Sequence, residues 1–364
     1  MNPLRWALHH EESQTCLDTI FDLLINIIKN LEKRNEHITK LILIHEIKQI
    51  DDKDFKIGFE TLSFAEGAKP FTRMELADIL INYFILIYLK KTYWRLKYTI
   101  YRCKIVELDF MFKGLTKLPI AIKYLISLKK LTLRYNQITE LPEWISTLIS
   151  LEYLNLNVNN LNKLPENIGL LSKLKELLLW KNELQNLPTS ICSLISLEQL
   201  NLRLNQLTLL PNDFGNLINL KDLNLHDNKL TKIPDSILSL KSLITLNLSW
   251  NLLTTIPSSL DKLSSLKSLD LERNELVNVP LSIGSLNSLE LLNLADNQLE
   301  TIPDTIGNLK NLKILNLSRN KLTKLPDTLN SLDLLEELYL TENNLKIYPY
   351  ILKKLEEKGL QVYI

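Results

Sequence analysis

Side chains suited to covalent or acid–base chemistry are scarce in this chain of 364 residues, which holds five histidines and three cysteines. His9 and His10 precede Glu11 and Glu12, residue types that would hold a metal loosely, but so near a terminus they read as a fraying end. His226 is followed by Asp227; neighbours along a strand start toward different sides, and no nucleophile accompanies them. Neither His37 nor His45 completes a constellation. Cys16, Cys103 and Cys192 form no C-x-x-C pair, so neither a disulfide framework nor a zinc site is indicated, and a reducing compartment is the simple reading. No catalytic residue, cofactor or metal ligand is expected.

What remains is the chemistry of contact. Tryptophan, tyrosine and arginine dominate binding hot spots, and here they collect in pairs placed just before a recurring asparagine. The pairs read Met111-Phe112, Arg134-Tyr135, Asn157-Val158, Trp180-Lys181, Arg203-Leu204, His226-Asp227 and Ser249-Trp250. They continue as Glu272-Arg273, Ala295-Asp296, Ser318-Arg319 and Thr341-Glu342, without an aromatic. A protein or peptide is therefore expected to dock on Phe112, Arg134, Tyr135, Trp180, Lys181, Arg203, His226 and Trp250. A second set, Asn155, Asn201, Asn224, Asn247, Asn293 and Asn316, is too uniform for a recognition code and reads as sheet-stabilising.

Such pairs need a scaffold that presents them in series. From residue 128 the pattern L-x-x-L-x-L-x-x-N-x-L-x-x-L-P-x-x-I-x-x-L-x-x returns with a period of 23. The asparagines stand at 136, 159, 182, 205, 228, 251, 274, 297, 320 and 343, and eleven prolines run from Pro119 to Pro349 in the same register. Leucines alternating with polar residues in L-x-L are the signature of a strand with one face inward. Stacked as parallel strands about 4.8 Å apart, eleven such strands make a concave arc about 50 Å long. An asparagine amide both donates and accepts, so it can serve backbone groups of its own turn and of the next repeat, which aspartate cannot. Proline opens the return segment, where no N–H is wanted. Glycine at 169, 215, 284 and 307 allows a tight return path, and Cys192 fills the same position as a small residue.

These residues resemble the leucine-rich repeat family, and the L-P-x-x-I-G-x-L flavour is similar to Ras-pathway scaffolds, Scribble-type and ROCO proteins, and multicopy bacterial repeat proteins. The resemblance covers about residues 105–364. It implies an α/β solenoid, a horseshoe with a parallel concave sheet, and a binding role rather than catalysis. Eleven repeats are expected from Ile105 to Pro349, the first with Lys113 in place of asparagine. Residues 350–364 then form a cap of polar helix, a stop at Gly359 and a short strand, shielding the last sheet edge.

Residues 1–104 do not repeat and make a small N-terminal α or α+β domain. Leu17, Ile20, Phe21, Leu24, Ile27, Ile28 and Leu31 predict a helix near 13–34, and Thr72 with Glu75 predicts a capping box opening a second helix to about residue 91. KLILIHEIKQI and KIGFETLSF between them are ambiguous and read as candidate strands. Residues 90–104, KKTYWRLKYTIYRCK, are basic, aromatic and acid-free; a peripheral membrane contact or an acidic-partner patch is the functional reading, and a solvated helix end with a strand leading into the first repeat is the plain one. Trp144, on the return side, is expected to pack beneath the N-terminal domain.

A formal net charge of +1 gives no global field for nucleic acid. The longest uncharged stretch, Ile79 to Leu89, is 11 residues, about 16 Å of helix against the roughly 30 Å of a bilayer core. No apolar leader opens MNPLRWALHHEES, and the N-L-S acceptors at Asn247 and Asn316 lie in the sheet face. The expected role is a cytoplasmic scaffold or adaptor without catalysis. The alternative is a secreted or surface-exposed bacterial recognition or effector protein that binds a host ligand and leaves without a cleavable signal.

Overall fold

The computed structural model describes residues 72–345, 350–357 and 359–364. The expected helix near 13–34, the candidate strands before residue 72, the His9–His10 pair and Pro349 lie outside the described residues. The chain divides into two compact units, residues 1–155 and 156–364.

In the first unit, helix α1 (Arg73–Thr92) starts at the expected capping box: Thr72 Oγ1 accepts from Glu75 N at 3.2 Å and the Glu75 carboxylate accepts from Thr72 N at 2.7 Å. Ile79, Tyr83, Ile85, Leu86 and Leu89 are buried. Asn82, 1% exposed, takes the Ile105 N–H at 2.8 Å and donates to Asp78 O at 2.9 Å, which ties α1 to the start of the sheet. Strand β1 (Lys97–Tyr101) is antiparallel to β2 (Lys104–Asp109), and Arg102 and Cys103 between them sit at φ 51° and 59°. That left-handed pair is the twist a two-residue hairpin requires. β3 (Lys130–Thr132) and β4 (Tyr153–Asn155) continue in parallel. Trp144 is half-buried in the 3-10 turn Glu143–Thr147.

The second unit is the same motif repeated. Strands β5 (Glu176–Leu178), β6 (Gln199–Asn201), β7 (Asp222–Asn224), β8 (Thr245–Asn247), β9 (Ser268–Asp270), β10 (Leu291–Asn293), β11 (Ile314–Asn316) and β12 (Glu337–Tyr339) pair in parallel, leucine against leucine. Amphipathic helix α2 (Tyr350–Glu357) buries Ile351, Leu352 and Leu355, Gly359 turns the chain at φ 89°, and β13 (Gln361–Tyr363) joins β12. The expected cap is therefore present, with a buried apolar face on its helix.

The fixed asparagines work as their chemistry requires. Asn228 Nδ2 donates to Leu202 O in the preceding repeat and to Leu225 O in its own, both at 3.0 Å, while its Oδ1 accepts from Leu207 N at 3.0 Å. Asn205, Asn251, Asn274, Asn297 and Asn320 repeat the arrangement, all buried. Prolines open the 3-10 returns; Pro234, for example, accepts from Ile237 N at 3.0 Å. The glycines serve proximity rather than an unusual φ: a Cβ on Gly284 would run into the Thr305 carbonyl oxygen of the next repeat.

Candidate partner-binding surfaces

Each variable pair is held by two devices that the residue types do not announce. The residue just before the fixed asparagine is left-handed in every repeat, with φ between 52° and 58°, from Phe112 to Glu342. None of these eleven is glycine or asparagine, so the conformation is imposed from outside. Its support is a main-chain bond to the next repeat: Asp227 N donates to Ser249 O at 2.9 Å, and Trp250 N to Glu272 O at 2.8 Å. One residue earlier, the N–H is taken by the asparagine of the L-x-L: Arg203 N, His226 N and Ser249 N donate to Asn201, Asn224 and Asn247 Oδ1 at 3.0 Å each. The asparagine set is thus structural as expected, acting chiefly within each turn.

In the first unit Phe112, Arg134 and Tyr135 form one cluster. The Phe112 and Tyr135 rings stack at 4.5 Å and 8°, Arg134 stands 4.5 Å from the Tyr135 ring centroid, and Arg134 Nη2 donates to Tyr135 Oη at 3.0 Å. Phe112 is 66% exposed. These contacts hold large side chains in fixed poses before any partner arrives.

In the second unit Trp180 and His226 are half-buried, Lys181 and Arg203 exposed, and Trp250 41% exposed. The Trp250 ring lies 6.0 Å from His226 on one side, and the Arg273 guanidinium is 3.8 Å from its centroid on the other. Arg273 in turn stands 3.7 Å from Asp296. Ser249 Oγ donates to Asn247 Oδ1 at 2.6 Å, so at the 2.7 Å contact His226 Nδ1 is the donor and Ser249 the acceptor. Burial, and then the positive charge of Arg203, push the His226 imidazole below its ordinary value, leaving it neutral at pH 7. Burial raises the carboxyls of Asp222 and Asp270 on the same sheet face.

Of the candidate aromatics Phe112 and Trp250 are exposed while Tyr135 and Trp180 are half-buried, and Arg273, which lies against Trp250, is absent from the candidate residues. The signal was there: Arg273 occupies the Trp250 position one period on. A second missed regularity is the residue opening each strand, Lys129, Glu152, Lys175, Glu198, Lys221, Ile244, Lys267, Glu290, Lys313 and Glu336. Its opposite charges pair between repeats, as in Lys129–Glu152 at 3.3 Å, Lys221–Glu198 at 2.6 Å and Lys313–Glu290 at 2.7 Å, with Ile244 interrupting.

Cys103 and Cys192 are buried, with thiols raised by that burial to about 12 and about 11. Among the described residues no group of three His, Cys, Asp or Glu side chains is placed to hold a metal ion.

A family model of the leucine-rich repeat region matches residues 143–226 and 258–357, just over half of the chain, and further leucine-rich repeat models match 127–148 and 218–276. No curated protein sequence matches. Among solved structures, a leucine-rich repeat protein of Leptospira interrogans is 42% identical with a TM-score of 0.65, covering 70% of this chain and 64% of its own. The plant peptide hormone receptor RGFR1, solved with RGF2, is 31% identical with a TM-score of 0.62, covering 68% and 41%. The functional domain of InlJ from Listeria monocytogenes is 26% identical with a TM-score of 0.61, covering 71% and 53%. The chain thus spans less than two thirds of each.

Proposed function

Because this chain belongs to the leucine-rich repeat family, whose solenoid it adopts, we propose that it is a non-catalytic interaction protein that binds a protein or peptide through the variable pairs of its strands. The observation that carries this is Trp250, left 41% exposed yet held between His226 and Arg273. Solenoid packing does not call for an exposed indole held in place, whereas a binding surface gains a contact ordered in advance. Trp180, Lys181, Arg203 and His226 extend that surface in the second unit; Phe112, Arg134 and Tyr135 form its counterpart in the first. The plant receptor solved with RGF2 supports peptides as a ligand class for this fold.

The test is affinity capture from native cells, followed by titration of the captured partner. Trp180→Ala combined with Arg203→Ala should weaken binding by at least ~2 kcal/mol, with circular dichroism showing that the repeats stay folded at the assay temperature. Equal affinity of the double variant and the parent would remove the assignment.

The same function has two settings, an intracellular scaffold or a recognition protein outside the cell. Among the described residues no helix is long and apolar enough to cross a membrane. Fractionation of native cells decides between them.

A further inference from the structure

Strand β1, the outer strand of the first unit among the described residues, carries a strip that the concave surface does not use. Among the described residues β1 pairs only with β2, and its side chains alternate, with Lys97, Thr99 and Tyr101 exposed. Trp94, just before the strand, is 74% exposed, and Tyr101, at its end, is 60% exposed. Each ring has a cation against it: Arg95 lies 4.1 Å from the Trp94 centroid and Arg102 lies 5.4 Å from that of Tyr101. Lys113 Nζ donates to Trp94 O at 2.6 Å, bringing another charge to the same end. Lys104 pairs with Asp78 at 2.7 Å; Asp109 stands across from Lys97 in the β1–β2 register and Thr99 donates to Glu107 at 2.9 Å, while Arg95, Lys97, Arg102 and Lys113 form no ion pair among the described residues.

Protection of a sheet edge explains lysine on an outer strand. It does not explain two outward aromatic rings, one at each end, with Lys97 and Tyr101 alone about 14 Å apart along the strand. We propose that this strip docks on an anionic lipid surface, Trp94 and Tyr101 entering the headgroup layer while Arg95, Lys97 and Arg102 meet lipid phosphates and carboxylates. Amphipathic rings favour the interface between water and hydrocarbon, and clustered cations are drawn to anionic headgroups. A folded acidic partner would have to present matching hollows for both rings, while a fluid lipid layer accepts them as they stand. This inference is independent of the concave binding surface.

The full chain should sediment with phosphatidylserine-containing phosphatidylcholine vesicles, less so at high salt, and remain in solution with phosphatidylcholine alone. Lys97→Gln and Arg102→Gln should each lower the partition coefficient about fivefold. Trp94→Ala should weaken binding and abolish the quenching of its fluorescence by brominated lipid. Thermal melts confirm that these exposed substitutions leave the fold intact, and Trp180→Ala with Arg203→Ala should keep parental vesicle binding. The proposal is overturned if the parent ignores anionic vesicles or if the glutamine variants bind like it. It is equally overturned if polyglutamate binds through Lys97 and Arg102 while vesicles do not, which would give the strip to an acidic protein.

Discussion

At the scale of single residues, the aspartates that replace asparagine in the L-x-L position test how the turns are built. Asp270 Oδ1 accepts from Glu272 N at 3.1 Å, as asparagine would, but it carries a charge into a partly buried site. Burial is the largest cause raising its carboxyl above the ordinary 3.8; the Glu272 N–H lowers it and the Glu272 charge raises it again. The native state therefore holds this proton more tightly than the unfolded chain does. The stability that follows is fully present below pH 3.8 and is lost as pH rises through the native value. Asp270→Asn should accordingly raise the melting temperature at pH 7, with the difference from the parent vanishing in acid. A pH series of thermal melts checks it, and a variant less stable at neutral pH would mean that the charge makes a favourable contact. The histidine–serine–asparagine chain just after β7 and β8 shows the converse: His226 was visible as a residue, but its tautomer comes from Ser249, 23 positions on, and its lowered basicity from burial and Arg203.

At the scale of elements, each strand from β3 onward is only three residues long and has little preference of its own. Stacking supplies the rest through leucines inside, asparagine amides between repeats, and an alternating charge ladder at the strand entrance. Ile244 stands in that ladder between Lys221 and Lys267, where the alternation calls for glutamate, and is 39% exposed. Ile244→Glu should join the two halves of the ladder and raise the melting temperature modestly at low ionic strength. Salt should erase the gain, because pairs this exposed are screened; melts at low and high salt distinguish the ladder from any effect of removing an exposed isoleucine. The capping box at Thr72 and Glu75 was legible because its chemistry is local. The left-handed residue before each asparagine was not, because its support is a carbonyl 22 positions later, as Ser249 O is for Asp227 N.

At the scale of the whole molecule, each repeat is held by its neighbours, so damage should stay local. Leu352, fully buried in α2, lies far along the chain from β6 to β8. Leu352→Asp should strip hydrogen-exchange protection from β11 to β13 and leave it at β6 to β8; uniform loss would instead show one cooperative unit. The net charge of +1 likewise hides a local fact, since residues 90–104 contain no acid. The sequence alone determined the solenoid, the inward leucines, the role of the asparagines and the positions facing outward, because a 23-residue period leaves one way to bury so many leucines. Only the tertiary structure decided which outward residues lock one another: Arg273 on Trp250, Phe112 on Tyr135, and the cations beside Trp94 and Tyr101. Periodicity fixes the direction in which a side chain leaves the sheet, whereas its pose depends on neighbours that the chain brings alongside only when it folds.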